Sequence, residues 1–231
     1  SMAAPAGSPR ATFQRIQQLG FRDRLNASSS NRITTPNAVP SSSGTRSLPL
    51  GWRVIGYLHN TYFLVETPEG LQIIEQHIAH ERVIYERLLA EQKTSGRLTE
   101  SVQRLVISAP LNLSPTQRGG LEQHIEQLRK LGFDFDLHPD AAVCTQIPLE
   151  LAGKDFVSSV QDIIETLLTA ESADFELEAT KSVACQAAIK DGMPLSEGEI
   201  IELLTAWYHT PRNDTCPHGR PISLSYSMDK L

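Results

Sequence analysis

The segment 71–90 constrains the fold most, because its hydrophobic periodicity changes from strand-like to helix-like. Residues 71–74 form a short apolar run after the turn residues 68–70, which predicts a β-strand. From His77 onwards, apolar residues recur at helical spacing to about the end of the segment. His77 and Glu81 are four residues apart on this predicted helix, so they lie on one face directly after the strand.

The histidine–glutamate pair on this helix has two interpretations. An imidazole and a carboxylate in this arrangement can bind one metal ion. The same spacing is also typical of a solvated ion pair or of a satisfied polar contact on a helix surface. The pair alone therefore leaves both interpretations open.

A second short stretch, from Cys216 to Pro221, combines a thiol and an imidazole in a turn. Cys216 and His218 are two residues apart, so in extended chain they project to the same side. Gly219 allows a sharp turn directly after them. Thiolate plus imidazole favours zinc, although a buried cysteine beside a structural histidine accounts for the same residues.

These stretches resemble the C-terminal domain of the MutL family of DNA mismatch-repair proteins. The family's endonuclease motif reads Asp-Gln-His-Ala, two residues, Glu, four residues, Glu. Two positions depart from it, because Glu75 replaces the Asp and Ile78 replaces the Ala. The residues in register are Gln76, His77, Glu81 and Glu86.

Two further motifs carry the resemblance. The six residues Cys-Pro-His-Gly-Arg-Pro from Cys216 to Pro221 all agree with the family. Ala184-Cys185-Gln186 is similar to the family's Ala-Cys-Arg motif, with Gln186 in place of Arg. The resemblance covers the chain from about Leu50 to its C-terminus, with the motifs in matching order.

The resemblance implies an α+β fold with two lobes. A dimerisation lobe with a mixed sheet and helices would comprise residues 50–116 and 175–231. A smaller α/β external lobe, residues 117–174, would be inserted into it. The residue patterns agree with this division, because a hairpin around His59-Asn60 opens the first lobe and a helix–strand–strand–helix pattern fills the second.

Capping residues predict where several helices begin. Ser114 and Pro115 open a helix that would run to Gly132. Ser196 and Glu199 form a capping box before another helix. Further predictions are a helix over 180–190, an amphipathic helix over 156–168, and a strand around 104–113 whose Pro110 suits a sheet edge.

The resemblance also implies a metal site and its chemistry. A zinc ion would be structural or regulatory, and manganese or another divalent ion would serve nicking. Glu75, His77 and Glu81 would be the catalytic residues, and Arg220 could contact a DNA phosphate or simply form a salt link. The implied metal ligands are His77, Glu81, Cys185, Cys216 and His218.

The expected function is therefore dimerisation together with nicking of one DNA strand by metal-dependent phosphodiester hydrolysis. The rival is a non-catalytic dimerisation module that keeps a structural zinc site. Only Glu75 separates the two, because its carboxylate is one methylene longer than that of the family's Asp.

The net charge of −6 does not suggest a domain that binds DNA unaided, because phosphate contacts need clustered Lys and Arg. The partners that the resemblance implies are a second copy of the chain, the ATPase domain of the same full-length protein, the mismatch-recognition protein MutS, and DNA. The replication sliding clamp is a weaker expectation. Gln103 and Leu105 match half of the family's clamp motif, but Ser108 stands where Pro is required.

The first part of the chain has a different composition. Residues 1–49 are rich in Ser, Pro and Asn and predict a disordered linker, and Ser1-Met2 resembles an expression scar. No apolar run suits a membrane span, and three scattered cysteines favour a reducing compartment. The expected location is the cytoplasm, associated with the nucleoid, or the nucleus in a eukaryote.

Overall fold

The structure, a computed structural model, describes residues 47–95, 101–153, 155–169 and 175–230. The predicted linker and the Ser1-Met2 scar lie outside the described residues, apart from the linker's last three positions. Labels follow chain order: β1 Arg53–Leu58, β2 Tyr62–Thr67, β3 Gly70–Glu75, α1 Gln76–Ser95, β4 Val102–Leu111, α2 Pro115–Gln123, α3 Ile125–Lys130, β5 Asp134–His138, β6 Ala141–Pro148, α4 Phe156–Thr169, α5 Phe175–Ala187, α6 Glu197–Tyr208 and β7 Ser223–Ser227.

The first sheet has the order β1-β2-β3-β7, with every pairing antiparallel. His59 and Asn60 join β1 to β2 with φ values of 53° and 51°, the left-handed backbone of a tight hairpin turn. The predicted hairpin is therefore confirmed. β3 runs into α1 without a loop, which fixes Glu75 and His77 at the junction of sheet and helix.

The second sheet has the order β4-β6-β5 and is also antiparallel. The α+β class is confirmed, but the expected mixed sheet is wrong, because both sheets are antiparallel among the described residues. β4, which the sequence analysis places in the dimerisation lobe, hydrogen-bonds to β6 of the second sheet. Its Pro110 does lie on an edge strand, where a missing N–H costs no ladder bond.

The helix starts agree with the capping residues. The side chain of Ser114 accepts a bond from the backbone of Gln117, and that of Ser196 accepts one from Glu199, so both capping boxes are present. The single helix expected up to Gly132 is instead two, α2 and α3. His124 leaves the helical conformation between them, and its ring stacks on Phe175 at 4.5 Å.

Other helix boundaries shift by several residues. α1 continues to Ser95, beyond the expected end near Ala90. α5 begins at Phe175 and ends at Ala187, where a helix over 180–190 was expected. None of the helices that the structure describes is long and apolar enough to cross a membrane.

α1 is the central helix of the core. It packs against α5 and α6, and its residues Ala79, Ile84 and Leu88 are fully buried. The inward face of the first sheet supplies Phe63 and Ile74, also fully buried. The polar first turns of α1 are therefore enclosed by the sheet, by α5 and by the chain that leads into β7.

Candidate metal centre

Three predicted ligands from two distant parts of the chain meet beside α1. Glu81 comes from the second turn of α1, and Cys216 and His218 come from the turn that precedes β7. One ligand atom from each of the three lies within 4.8 Å of the other two, and no other such group occurs in the described ranges. Nδ1 of His218 lies 3.1 Å from Oε1 of Glu81.

The surroundings of Glu81 fit a bound cation. Its side chain is 0% exposed, and neither carboxylate oxygen accepts a hydrogen bond from the described residues. A buried carboxylate is costly unless an opposite charge compensates it, and the neighbouring His218 ring supplies a charge only when it is protonated. Carboxylate, thiolate and imidazole are together the ligand types of zinc, and three protein ligands are the number found in catalytic zinc sites. The donor set therefore fits zinc.

The turn that presents Cys216 and His218 is closed by local hydrogen bonds. Cys216 N donates to Arg220 O at 2.8 Å, and Gly219 N donates to Cys216 O at 2.9 Å. Gly219 has φ 81°, which a residue with a side chain adopts only under strain. The sharp turn inferred from the sequence is therefore present, and it places the thiol inside and the imidazole at the surface.

Arg82 holds this turn against α1. It is 4% exposed, its Nε donates to Thr215 O at 2.6 Å, and its Nη1 pairs with Glu86 Oε1 at 2.8 Å. Arg82 therefore links Glu86 to the backbone of the turn that carries Cys216. The sequence reasoning missed Arg82, although its spacing of four residues from Glu86 on a helix was an available signal.

Replacing Arg82 by Met is expected to lower the free energy of unfolding by about 3 kcal/mol, because it leaves Glu86 and the Thr215 carbonyl without their buried partner. Urea titration measures this loss. Arg118→Met is the matched control, since Arg118 also pairs with a glutamate at i+4 and donates to a backbone carbonyl, but at the surface. The control is expected to lose less than about 1 kcal/mol. Equal losses in the free energy of unfolding would show that the contacts of Arg82 stabilise the chain no more than those of a surface arginine.

Glu75 and His77 lie next to the group of three. Glu75 binds the first turn of α1 as an N-cap does, with its Oε1 2.7 Å from His77 N and its Oε2 3.1 Å from Ile78 N. Burial raises the pKa of the Glu75 carboxyl, and these two N–H bonds oppose the rise. The half-buried His77 ring places Nδ1 2.8 Å from Ile189 O. No ring nitrogen of His77 lies within 4.8 Å of the ligand atoms of all three group members, Glu81, Cys216 and His218.

Cys185 also lies outside the group of three but close to it. Burial raises the pKa of its thiol, and the negative charges of Glu81 and Cys216 raise it further. Arg220 is exposed beside the group, where the Cys216 side chain raises the pKa of its guanidinium. Of the five predicted ligands, the structure thus brings Glu81, Cys216 and His218 together and leaves His77 and Cys185 as neighbours.

Comparison with known proteins assigns the family. The model of the MutL C-terminal dimerisation domain matches residues 55–195. The DNA mismatch repair protein MutL of Dichelobacter nodosus is 31% identical over 189 residues, which are 80% of this chain and 32% of that protein. The MutL of Halobacterium salinarum is 35% identical over 198 residues, 83% of this chain and 28% of that protein.

A third MutL, from Methanothrix thermoacetophila, is 32% identical over 182 residues, 78% of this chain and 32% of that protein. The chain therefore spans about a third of the length of the curated relatives that it matches. The matched region includes the β3–α1 junction, the second sheet and Cys185. The chain therefore belongs to the family of MutL C-terminal dimerisation domains.

Proposed function

We propose that this chain is the dimerising part of a mismatch-repair protein and that it nicks one strand of DNA in a metal-dependent reaction. The observation that carries the proposal is the buried Glu81 carboxylate, which faces Cys216 and His218 and has no other hydrogen-bond donor in the described residues. A bound cation would explain this arrangement. Glu81 lies one helical turn after His77 on α1.

Each residue has a distinct part in this proposal. Glu81, Cys216 and His218 would hold zinc. His77 would offer Nε2 to the same ion as a fourth ligand. Its Nδ1 faces a carbonyl oxygen that can only accept, so Nδ1 carries the proton. Glu75 supplies a carboxylate at the start of α1, and Cys185 adds a second thiol nearby. A bound divalent ion supplies polarisation of the phosphoryl oxygen and lowers the pKa of the attacking water.

DNA would be held largely by other parts of the assembly, because the chain carries a net charge of −6. Arg220 is the exposed cation beside the metal group and would contact a phosphate. The proposed partners are the ATPase domain of the same protein, MutS and the sliding clamp. For the clamp, Gln103 and Leu105 lie on the edge strand β4, whose pairing register breaks between Arg104 and Ala109.

A supercoiled-plasmid assay tests the proposed reaction. The purified chain is expected to convert plasmid to nicked circles with Mn²⁺ and to be inactive with a chelator. Glu81→Gln, which keeps the shape but loses the buried charge, is expected to be inactive under both conditions. A chain that binds metal and dimerises but never nicks would support the rival, a non-catalytic dimerisation module.

The outward face of the first sheet supports a homodimer, as the family's name implies. Leu64, Ile73 and Leu224 are neighbours across β2, β3 and β7 on the face opposite the buried Phe63 and Ile74. Leu224 is 57% exposed although it lies in this apolar row. A contiguous apolar surface of this kind marks an interface.

Replacing Leu224 by Asp is therefore expected to convert a dimer into a monomer, because it places a charge in the exposed apolar row that the proposed interface would bury. Light scattering at tens of micromolar should show half the wild-type mass. Leu177→Asp is the matched control, since Leu177 is 40% exposed on α5, and it is expected to stay dimeric. A wild-type chain that is already monomeric would contradict the assignment of this face.

A further inference from the structure

Tyr57 connects the first sheet to the segment that follows α5. It lies on β1, and its ring stacks on Phe63 with centroids 5.2 Å apart. Its hydroxyl donates to Gln76 Oε1 and lies 3.1 Å from Met193 O. Tyr57, on the proposed dimerisation sheet, thus contacts Gln76, the second residue of the motif that begins at Glu75.

Gln76 connects Tyr57 to the backbone of residues 190–193. Its side chain is fully buried. Its Oε1 faces the Tyr57 hydroxyl, and its Nε2 donates to Lys190 O at 3.3 Å and to Met193 O at 3.1 Å, the carbonyl that the Tyr57 hydroxyl also approaches. The orientation of one amide therefore fixes the segment 190–193.

The neighbouring peptide of Ile189 orients two histidines of α1. Ile189 N donates to His80 Nδ1 at 3.0 Å, and Ile189 O faces His77 Nδ1 at 2.8 Å. A carbonyl at Nδ1 selects the tautomer of His77 that has its proton there and a lone pair on Nε2. Carbonyl partners of this type orient metal-binding histidines in proteins.

We propose that Tyr57 is a positioning residue for the metal centre, acting on His77 through Gln76 and the segment 189–193. The inference rests on the proposed function, in which His77 offers Nε2 to a divalent ion. Tyr57 touches none of Glu81, Cys216 and His218 in the contacts that the structure describes. Its effect would therefore travel through the hydrogen bonds given above.

The first test reads the tautomer of His77 in the metal-free full chain by nitrogen–proton correlation NMR. The wild type is expected to show the form protonated at Nδ1. Tyr57→Phe keeps the ring stacked on Phe63 but removes the hydroxyl, so it is expected to show a mixture of tautomers. Gln76→Met, which removes the amide at similar volume, is expected to give the same mixture of tautomers. It replaces Tyr57→Phe in the test if that variant proves hard to purify.

The second test measures Zn²⁺ affinity by competition with a chelator. Tyr57→Phe is expected to bind about tenfold more weakly than the wild type, a change typical of a lost outer-shell partner. The double variant Tyr57→Phe/His77→Ala is expected to bind no more weakly than His77→Ala alone, because the hydroxyl acts only through that ring. Tyr208→Phe is the matched control, since Tyr208 is an exposed tyrosine with ring contacts only to Trp52 and His209 in the described residues.

The outcomes separate this inference from the proposed function. An unchanged tautomer in Tyr57→Phe, or a double variant whose losses add, would overturn the inference even if the chain binds metal and nicks DNA. A wild-type chain that binds no Zn²⁺ would overturn the proposed function and the role of Tyr57 with it.

Discussion

Replacing Cys216 by Ser and His218 by Ala together is expected to remove bound zinc from the chain. The two residues supply two of the three ligand atoms that lie within 4.8 Å of one another. Glu81 alone cannot retain the ion against buffer, so zinc should fall from about one per chain to less than about a tenth. Mass spectrometry of metal after gel filtration measures the content.

The matched control removes the same residue types elsewhere. Cys144 is buried in β6, where burial raises the pKa of its thiol to about 11, and His138 is exposed on β5. The variant Cys144→Ala/His138→Ala is expected to keep its zinc. The wild type and this control should also melt at higher temperature than the stripped variant, because bound ligand stabilises the folded state. Unchanged zinc in Cys216→Ser/His218→Ala would exclude the proposed site.

Glu75→Gln is expected to abolish manganese-dependent nicking while the chain stays folded and dimeric. The negative charge is what an oxygen-preferring divalent ion requires, and the amide lacks it. The substitution also weakens the cap of α1, because only one of the two side-chain groups can still accept from His77 N or Ile78 N. Nicked plasmid per hour is the measured quantity, with an expected loss of more than about a hundredfold.

Two further variants separate the charge from the cap. Glu75→Asp keeps the charge and is a better N-cap residue, so its nicking should equal or exceed that of the wild type. Asp155→Asn removes a capping carboxylate from α4, where Asp155 accepts from Ser158, and should leave nicking unchanged. If Glu75→Gln nicks as well as its parent, the activity arises elsewhere. If only Glu75→Asp nicks, the natural chain is the non-catalytic module.

Local features were predictable from the sequence because their causes are local. The hairpin depends on His59-Asn60, and two helix starts depend on Ser114 and Ser196 with their partners three residues later. The turn at Cys216 also follows from its own residues. The approach of this turn to Glu81 could be inferred only from the family resemblance, because Cys216 lies 135 positions after Glu81 in the chain.

Features that depend on tertiary packing were missed or misplaced. The pairing of β4 with β6 was not predicted, because no residue pattern in the sequence specifies which strands pair. The break at His124 depends on a ring contact with Phe175, fifty-one positions later. Arg82 contacts the backbone carbonyl of Thr215, and Tyr57 contacts that of Met193, both in distant segments of the chain. Such contacts were not predictable, because no residue pattern in the sequence marks a backbone carbonyl as an acceptor.

X-ray absorption at the zinc edge tests the metal centre most directly, because it reports the atoms bound to the ion in the purified full chain. We expect one or two sulfur neighbours at about 2.3 Å together with nitrogen or oxygen neighbours at about 2.0–2.2 Å. In Cys216→Ser the sulfur signal should fall or vanish. A wild-type spectrum with only oxygen and nitrogen neighbours, or a chain that retains no zinc, would contradict a centre built on Glu81, Cys216 and His218.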